Sequence, residues 1–139
     1  MPYDNDNIFA KILRGEMPAF TVYETGHCLA FLDVMPQSDG HTLVLPKQPA
    51  ETLFELNDES AGHLIATVRT VAAAVRTAFS PDGIRLMQLN GEAAGQTVLH
   101  VHMHIVPCYS NAPSQPHAQR MADATVLEAH AAKIRAALG

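Results

Sequence analysis

His100-Val101-His102-Met103-His104-Ile105-Val106-Pro107 alternates imidazoles with bulky apolar side chains. In an extended strand, residues i, i+2 and i+4 share a face. This reading puts His100, His102 and His104 on one face and turns Val101, Met103 and Ile105 into a core. Two residue rises separate neighbouring histidines by about 6.6 Å, so three groups that titrate near neutrality form a row.

Such a row admits more than one chemistry. Two histidines at i and i+2 reach far enough to chelate zinc. The first and third stand roughly 13 Å apart, too far to share one tetrahedron with nitrogen distances of about 2.0–2.1 Å. A zinc site here needs ligands from elsewhere, and the chain has only Cys28 and Cys108, with no Cys-x-x-Cys pair. Alternatively, an imidazole whose far nitrogen is oriented by a neighbour is a nucleophile toward phosphorus, and a nearby acid can protonate the leaving group. A middle histidine flanked by one that orients and one that contacts a phosphoryl group meets that need. The plain alternative is a polar strand face that happens to carry histidine, and strict alternation of three weighs against it.

Immediately upstream, Asn90-Gly91-Glu92-Ala93-Ala94-Gly95-Gln96-Thr97 separates the apolar run Ile84–Leu89 from the histidine row. Glycines let backbone N–H groups approach an anion, and Gln96 and Thr97 add side-chain donors. A Gly-rich turn is by itself only a turn. Beside a row of histidines it suits a phosphate.

Further out, Asn7 can cap a short helix carrying Ile8, Phe9, Ile12 and Leu13 and stopped by Gly15. Residues 20–24 and 28–33 read as a hairpin around Thr25-Gly26, residues 41–45 as a third strand, and 50–56 as a short helical turn. Leu64, Ile65, Val68, Val71, Val75 and Phe79 recur at helical spacing, which predicts a helix over 58–79 capped by Asn57. Residues 84–89 and 98–106 complete five strands, 109–116 read as loop, and 118–138 as an alanine-rich helix. Strands, one long helix, then strands, without βα alternation, predict an α+β fold with an antiparallel sheet.

The chain has 139 residues, of which 47% are hydrophobic and 17% charged, enough to build a single domain with its own core. We expect one domain over 1–139, with a core over 7–108 and a C-terminal loop and helix over 109–139. A net charge of −5 without a Lys/Arg cluster argues against nucleic-acid binding, yet leaves room for one phosphate held by local donors. Two distant cysteines imply no disulfide framework. A polar start over residues 1–6 and the lack of a long apolar run imply no membrane segment, so the expected location is the cytoplasm.

On several motifs in order, the chain resembles the histidine-triad (HIT) family, in its nucleotide-binding branch. The motifs are Ile8–Ile12 with Gly15–Pro18, Ala30–Val34, Gly40–Lys47, Asn90–Thr97 and His100–Pro107. The resemblance implies a five-stranded antiparallel sheet with one long helix, a homodimer paired through that helix and a sheet edge, and a purine nucleotide substrate, AMP or GMP conjugates. His102 would attack the α-phosphorus to form a nucleotidyl-histidine that water hydrolyses. His104 would hydrogen-bond the phosphate, and His100 and His41 would orient. Asp33 would accept from the ribose hydroxyls. Ile8, Phe9, Phe31 and Val34 would form the base slot, and Asn90, Gly95, Gln96 and Thr97 would hold the phosphate and leaving group. On spacing alone, Phe9 and Phe31 read as core and Asp33 as the start of a turn.

Two departures stand out. Relatives that carry a structural zinc use two cysteines, a histidine and the first triad histidine; the aligned positions here are Asn7, Ala10, Pro49 and His100. We therefore expect no metal and no cofactor. Relatives often follow the triad strand with Pro-Arg, where this chain has Pro107-Cys108. The expected activity is an adenosine 5'-monophosphoramidase-like hydrolase. The rivals are a dinucleoside polyphosphate hydrolase, a nucleotide-binding module with incidental hydrolysis and, more distantly, a metal-binding protein.

Overall fold

The computed structural model describes residues 2–113 and 120–139. Strands β1 (Thr21–Glu24), β2 (Cys28–Leu32), β3 (Thr42–Pro46), β4 (Gly83–Gln88) and β5 (Met103–Cys108) form one sheet in the order β1-β2-β3-β5-β4. Every neighbouring pair is antiparallel. With helices α1 (Ile8–Leu13), α2 (Asp58–Phe79) and α3 (Ala124–Leu138), the fold is α+β, as the segment order predicts.

Period-two alternation divides the sheet into two faces. Cys28, Ala30, Leu32, Val44 and Ile105 pack with Leu64, Val68, Val71 and Val75 of α2 and with Leu127, Ala131 and Ile134 of α3. The intervening residues Leu29, Phe31, Leu43 and Leu45 face the other way and, among the described residues, meet only Phe9 of the short α1 as a further buried member of their cluster. Because Leu43 pairs with His104 across β3 and β5, His104 lies on this second, thinly covered face. A six-residue helix cannot roof a five-stranded sheet. The space it leaves uncovered is where the site forms.

Local chemistry sets the ends of the elements. The Asn7 side chain accepts from the Ala10 N–H and opens α1; the Asn57 side chain accepts from the Ser60 N–H and opens α2, with Asp58 and Glu59 favourably placed in its first turn. Gly40, just before β3, has φ +90°, and a Cβ there would stand 2.9 Å from the Phe79 ring. Only glycine meets both demands.

Two expected boundaries are corrected. β5 starts at Met103, not Val98, so His100 and His102 precede it. The chain leaves the ladder there because the Val101 N–H donates to the Ala50 carbonyl at 2.9 Å rather than to a neighbouring strand. α3 starts at Ala124, not Ala118. Asp123 caps it through the Thr125 N–H, and the Ala122 N–H is already bound to the Val34 carbonyl at 2.8 Å. Residues 114–119, part of the expected loop and of the expected helix start, lie outside the described residues. Within 50–56, only Leu53–Glu55 turns helically, closed by a capping box between Thr52 and Glu55. Among the described residues, no helix is long and apolar enough to cross a membrane.

Candidate active site

A cavity of about 460 Å³ opens on the thinly covered face. His102, His104 and Thr97 line it together with Ile8, Phe9, Phe31, Asp33 and Val34, so eight of the residues singled out from sequence converge. Its walls are largely apolar with few polar groups, a usual construction for a small-molecule site. Phe9 stands edge-on to Phe31 at 5.4 Å and to His102 at 4.9 Å between ring centroids. It therefore belongs to the core and also braces the middle histidine.

Hydrogen bonds assign the protons on the histidines. A carbonyl only accepts, so the 2.7 Å contact from His102 Nδ1 to the His100 carbonyl places the His102 proton on Nδ1. The lone pair of the neutral ring is then on Nε2. The Gln37 N–H donates to His41 Nδ1 at 3.0 Å, which puts the His41 proton on Nε2. That nitrogen faces His104 Nδ1 at 2.9 Å and donates to it, leaving the His104 proton on Nε2. The rings of His102 and His104 stand 4.9 Å apart, one with a basic nitrogen and the other with a donor. Their opposite tautomers suit attack on one atom and hydrogen bonding to its neighbour.

Asp33 is buried beside this row. Its Oδ1 accepts from the Met35 N–H at 2.8 Å, making the turn that spacing predicts, and its Oδ2 lies 3.6 Å from His41 Nε2. With a backbone N–H on its other nitrogen, His41 is neutral, and this approach is not an ion pair. Asp33, His41 and His104 present ligand atoms within 4.8 Å of one another. The His41–His104 hydrogen bond already occupies the two ring nitrogens between them.

His100 and His41 do not line the cavity; both are fully buried behind it. His100 Nε2 donates to the Pro46 carbonyl at 2.8 Å, so its Nδ1 accepts, and the Tyr3 hydroxyl donates to it at 2.5 Å. Asn7 Nδ2 in turn donates to the Tyr3 oxygen at 2.8 Å. Burial pushes the His100 imidazolium pKa down, the Pro46 hydrogen bond opposing it, and burial raises the Tyr3 phenol above its usual value. His100 therefore reaches His102 through its backbone carbonyl rather than through its ring.

Asn90, Gly95 and Gln96 lie outside the cavity wall. Gln96 is buried, with its Oε1 accepting from the Gly91 N–H and its Nε2 donating to the carbonyls of Glu51 and Val98. Asn90 Oδ1 accepts from the Leu53 N–H at 2.9 Å, and the Asn90 and Gln88 amides donate to each other. These side chains fasten the loop that delivers Thr97. Tyr3, Met17, Leu43, Val98 and Met121 were not picked out from sequence. Met17 stands in the quoted Gly15–Pro18 motif, and that motif was its only signal. Met121 is carried in by the Ala122–Val34 hydrogen bond, which no local pattern announces.

The pattern of the HIT domain family matches residues 14–111. "Protein hit" of Bacillus subtilis is 47% identical over 102 residues, 73% of this chain and 70% of that protein. The adenosine 5'-monophosphoramidase hnt1 of Schizosaccharomyces pombe is 43% identical over 100 residues, 72% of each chain. A crystal structure of a Hit-like protein from Bartonella henselae superposes with a TM-score of 0.92 at 43% identity, covering 99% of both chains. The matched span takes in all five strands, α2 and every histidine of the row, and so the chain belongs to the HIT domain family.

Proposed function

We propose that the protein hydrolyses purine nucleotide conjugates at the α-phosphorus, with nucleoside phosphoramidates such as an AMP–amine as its substrate class. The observation that carries this reading is the adjacent pair His102 and His104, in opposite tautomers, at the wall of an apolar cavity. His102 Nε2 attacks phosphorus; a P–N bond to the ring forms as the P–N bond to the leaving amine breaks, and that amine departs with a proton drawn from solvent, which the water consumed in the second step returns. Water then attacks the same phosphorus, the ring leaves, and the nucleoside monophosphate is released. His104 Nε2–H donates to a phosphoryl oxygen, where charge develops. Asp33 Oδ2 accepts from the ribose, and Ile8, Phe9, Phe31 and Val34 hold the base. Thr97 contacts the phosphate, and the Asn90–Gln96 loop positions it. The monophosphoramidase activity of the fission yeast relative supports this substrate class over longer dinucleoside polyphosphates.

The protein works as a homodimer joined through β4 and α2. β4 is a sheet edge, and Ile65 of α2 and Leu86 of β4 are exposed beside it. Two free cysteines fit the reducing cytoplasm.

The test is mass spectrometry of protein quenched during turnover of an adenosine phosphoramidate. One AMP on His102 is the expected adduct, and His102→Ala should lower turnover by at least about a hundredfold while AMP still binds. Equal loss of binding and turnover would remove His102 from the nucleophile's role. Faster turnover of a diadenosine polyphosphate would shift the substrate class.

A further inference from the structure

Outside the cavity, three side chains converge where the β1–β2 turn meets the start of α2. His27 sits in the turn between β1 and β2, and Glu59 and His63 share a face in the first two turns of α2. Their ligand atoms all lie within 4.8 Å of one another, with His63 Nε2 3.8 Å from Glu59 Oε1. The rings of His27 and His63 are stacked, 3.6 Å between centroids and 5° from parallel. Aromatic pairs ordinarily prefer an offset or an edge-on arrangement with centroids about 4.5–7 Å apart. Parallel rings point their nitrogen lone pairs side by side, so sharing a cation requires one imidazole to turn out of the stack. His27, exposed in its turn, has the room to do so beside the Glu59 carboxylate and His63.

We propose that His27, Glu59 and His63 bind one divalent transition cation of the zinc class. Two imidazole nitrogens and one carboxylate oxygen form a borderline donor set that suits zinc or nickel and disfavours magnesium and calcium. Tetrahedral donors at 2.0–2.2 Å from zinc stand about 3.4 Å apart, so the side chains need to close by about 1 Å. Exposure leaves them free to do so, and the remaining position stays open to solvent. The scaffold is fixed in advance. The Thr25 hydroxyl accepts from the N–H groups of both His27 and Cys28, the Lys47 N–H donates to the His27 carbonyl, and Asn57 caps α2. A bound ion would clip the β1–β2 turn to the start of α2. It would do so independently of the nucleotide cavity, none of whose lining residues it uses.

Titrating metal-stripped protein with zinc chloride in a calorimeter tests this. One equivalent per chain is expected, with affinity lowered at least about tenfold by His27→Ala or His63→Ala and thermal stabilisation by zinc lost in the double variant. His104→Ala, which breaks the Asp33–His41–His104 group, should leave zinc affinity unchanged. The proposal is overturned if zinc fails to bind stoichiometrically, if the double variant keeps full affinity, or if His104→Ala is the change that abolishes binding.

Discussion

Tyr3 lies 97 positions from His100 in the chain, yet its hydroxyl supplies the donor for the nitrogen of that buried ring that the Pro46 carbonyl leaves as acceptor. Removing the donor strands a buried acceptor, which costs about 1–3 kcal/mol. Tyr3→Phe should lower stability by that amount in chemical denaturation. It should also reduce kcat more than it raises KM, because His100 holds His102 and touches no substrate. His100 itself gives a pH dependence. Its pKa is lowered by burial, so the unfolded chain takes up a proton from about pH 6.5 downward while the folded chain does not. Stability present above that pH is lost as pH falls, by at most about 1.4 kcal/mol per pH unit from this group. The denaturation midpoint measured between pH 7.5 and 5.5 should fall, and less steeply in His100→Gln; an equal slope in that variant would assign the effect elsewhere.

At the scale of elements, the short segment before β3 couples the two faces of the sheet. Gly40 turns there at φ +90° against Phe79 at the end of α2, and the next residue, His41, donates a hydrogen bond to His104. Gly40→Ala adds both a disfavoured backbone and a clash, an expected loss of roughly 1–3 kcal/mol that denaturant titration would read. Unchanged stability would mean that Phe79 moves aside freely. Periodicity made most elements legible: the Asn57 cap and the spacing from Leu64 to Phe79 are sufficient for α2, and the hairpin shows in Thr25-Gly26. β5 was less legible at its start. The alternation of His100 to Ile105 continues through residues that leave the ladder, and pattern carries no information on where a strand loses its partner.

Across the whole molecule, the sheet's two edges differ in cover. At one edge β1 carries the buried Val22 and is otherwise mostly half-buried, whereas β4 at the other edge has no buried residue. Ile65 is 56% exposed and Leu86 46%, on either side of a groove that also holds Arg69 and Arg76. Pairing of two copies there would bury both apolar side chains and the open edge. Sedimentation should show a dimer that Ile65→Glu with Leu86→Glu converts to monomer; a monomeric parent protein would contradict the pairing.

By itself the sequence determined the α+β class and the face on which His104 lies, since these follow from local periodicity; the apolar residues around it were marked only by the family resemblance, because spacing alone reads Phe9 and Phe31 as core. Tertiary structure decided which nitrogens carry protons. Those depend on the Gln37 N–H, the His100 carbonyl, the Pro46 carbonyl and the Tyr3 hydroxyl, groups that meet only when the chain closes on itself. It also decided that Gln96 and Asn90 fasten a loop, because an amide written beside glycines reads the same whether its partner is a phosphate or a distant backbone. Periodicity records which way a side chain faces; what stands opposite is fixed by contacts between residues far apart in the chain.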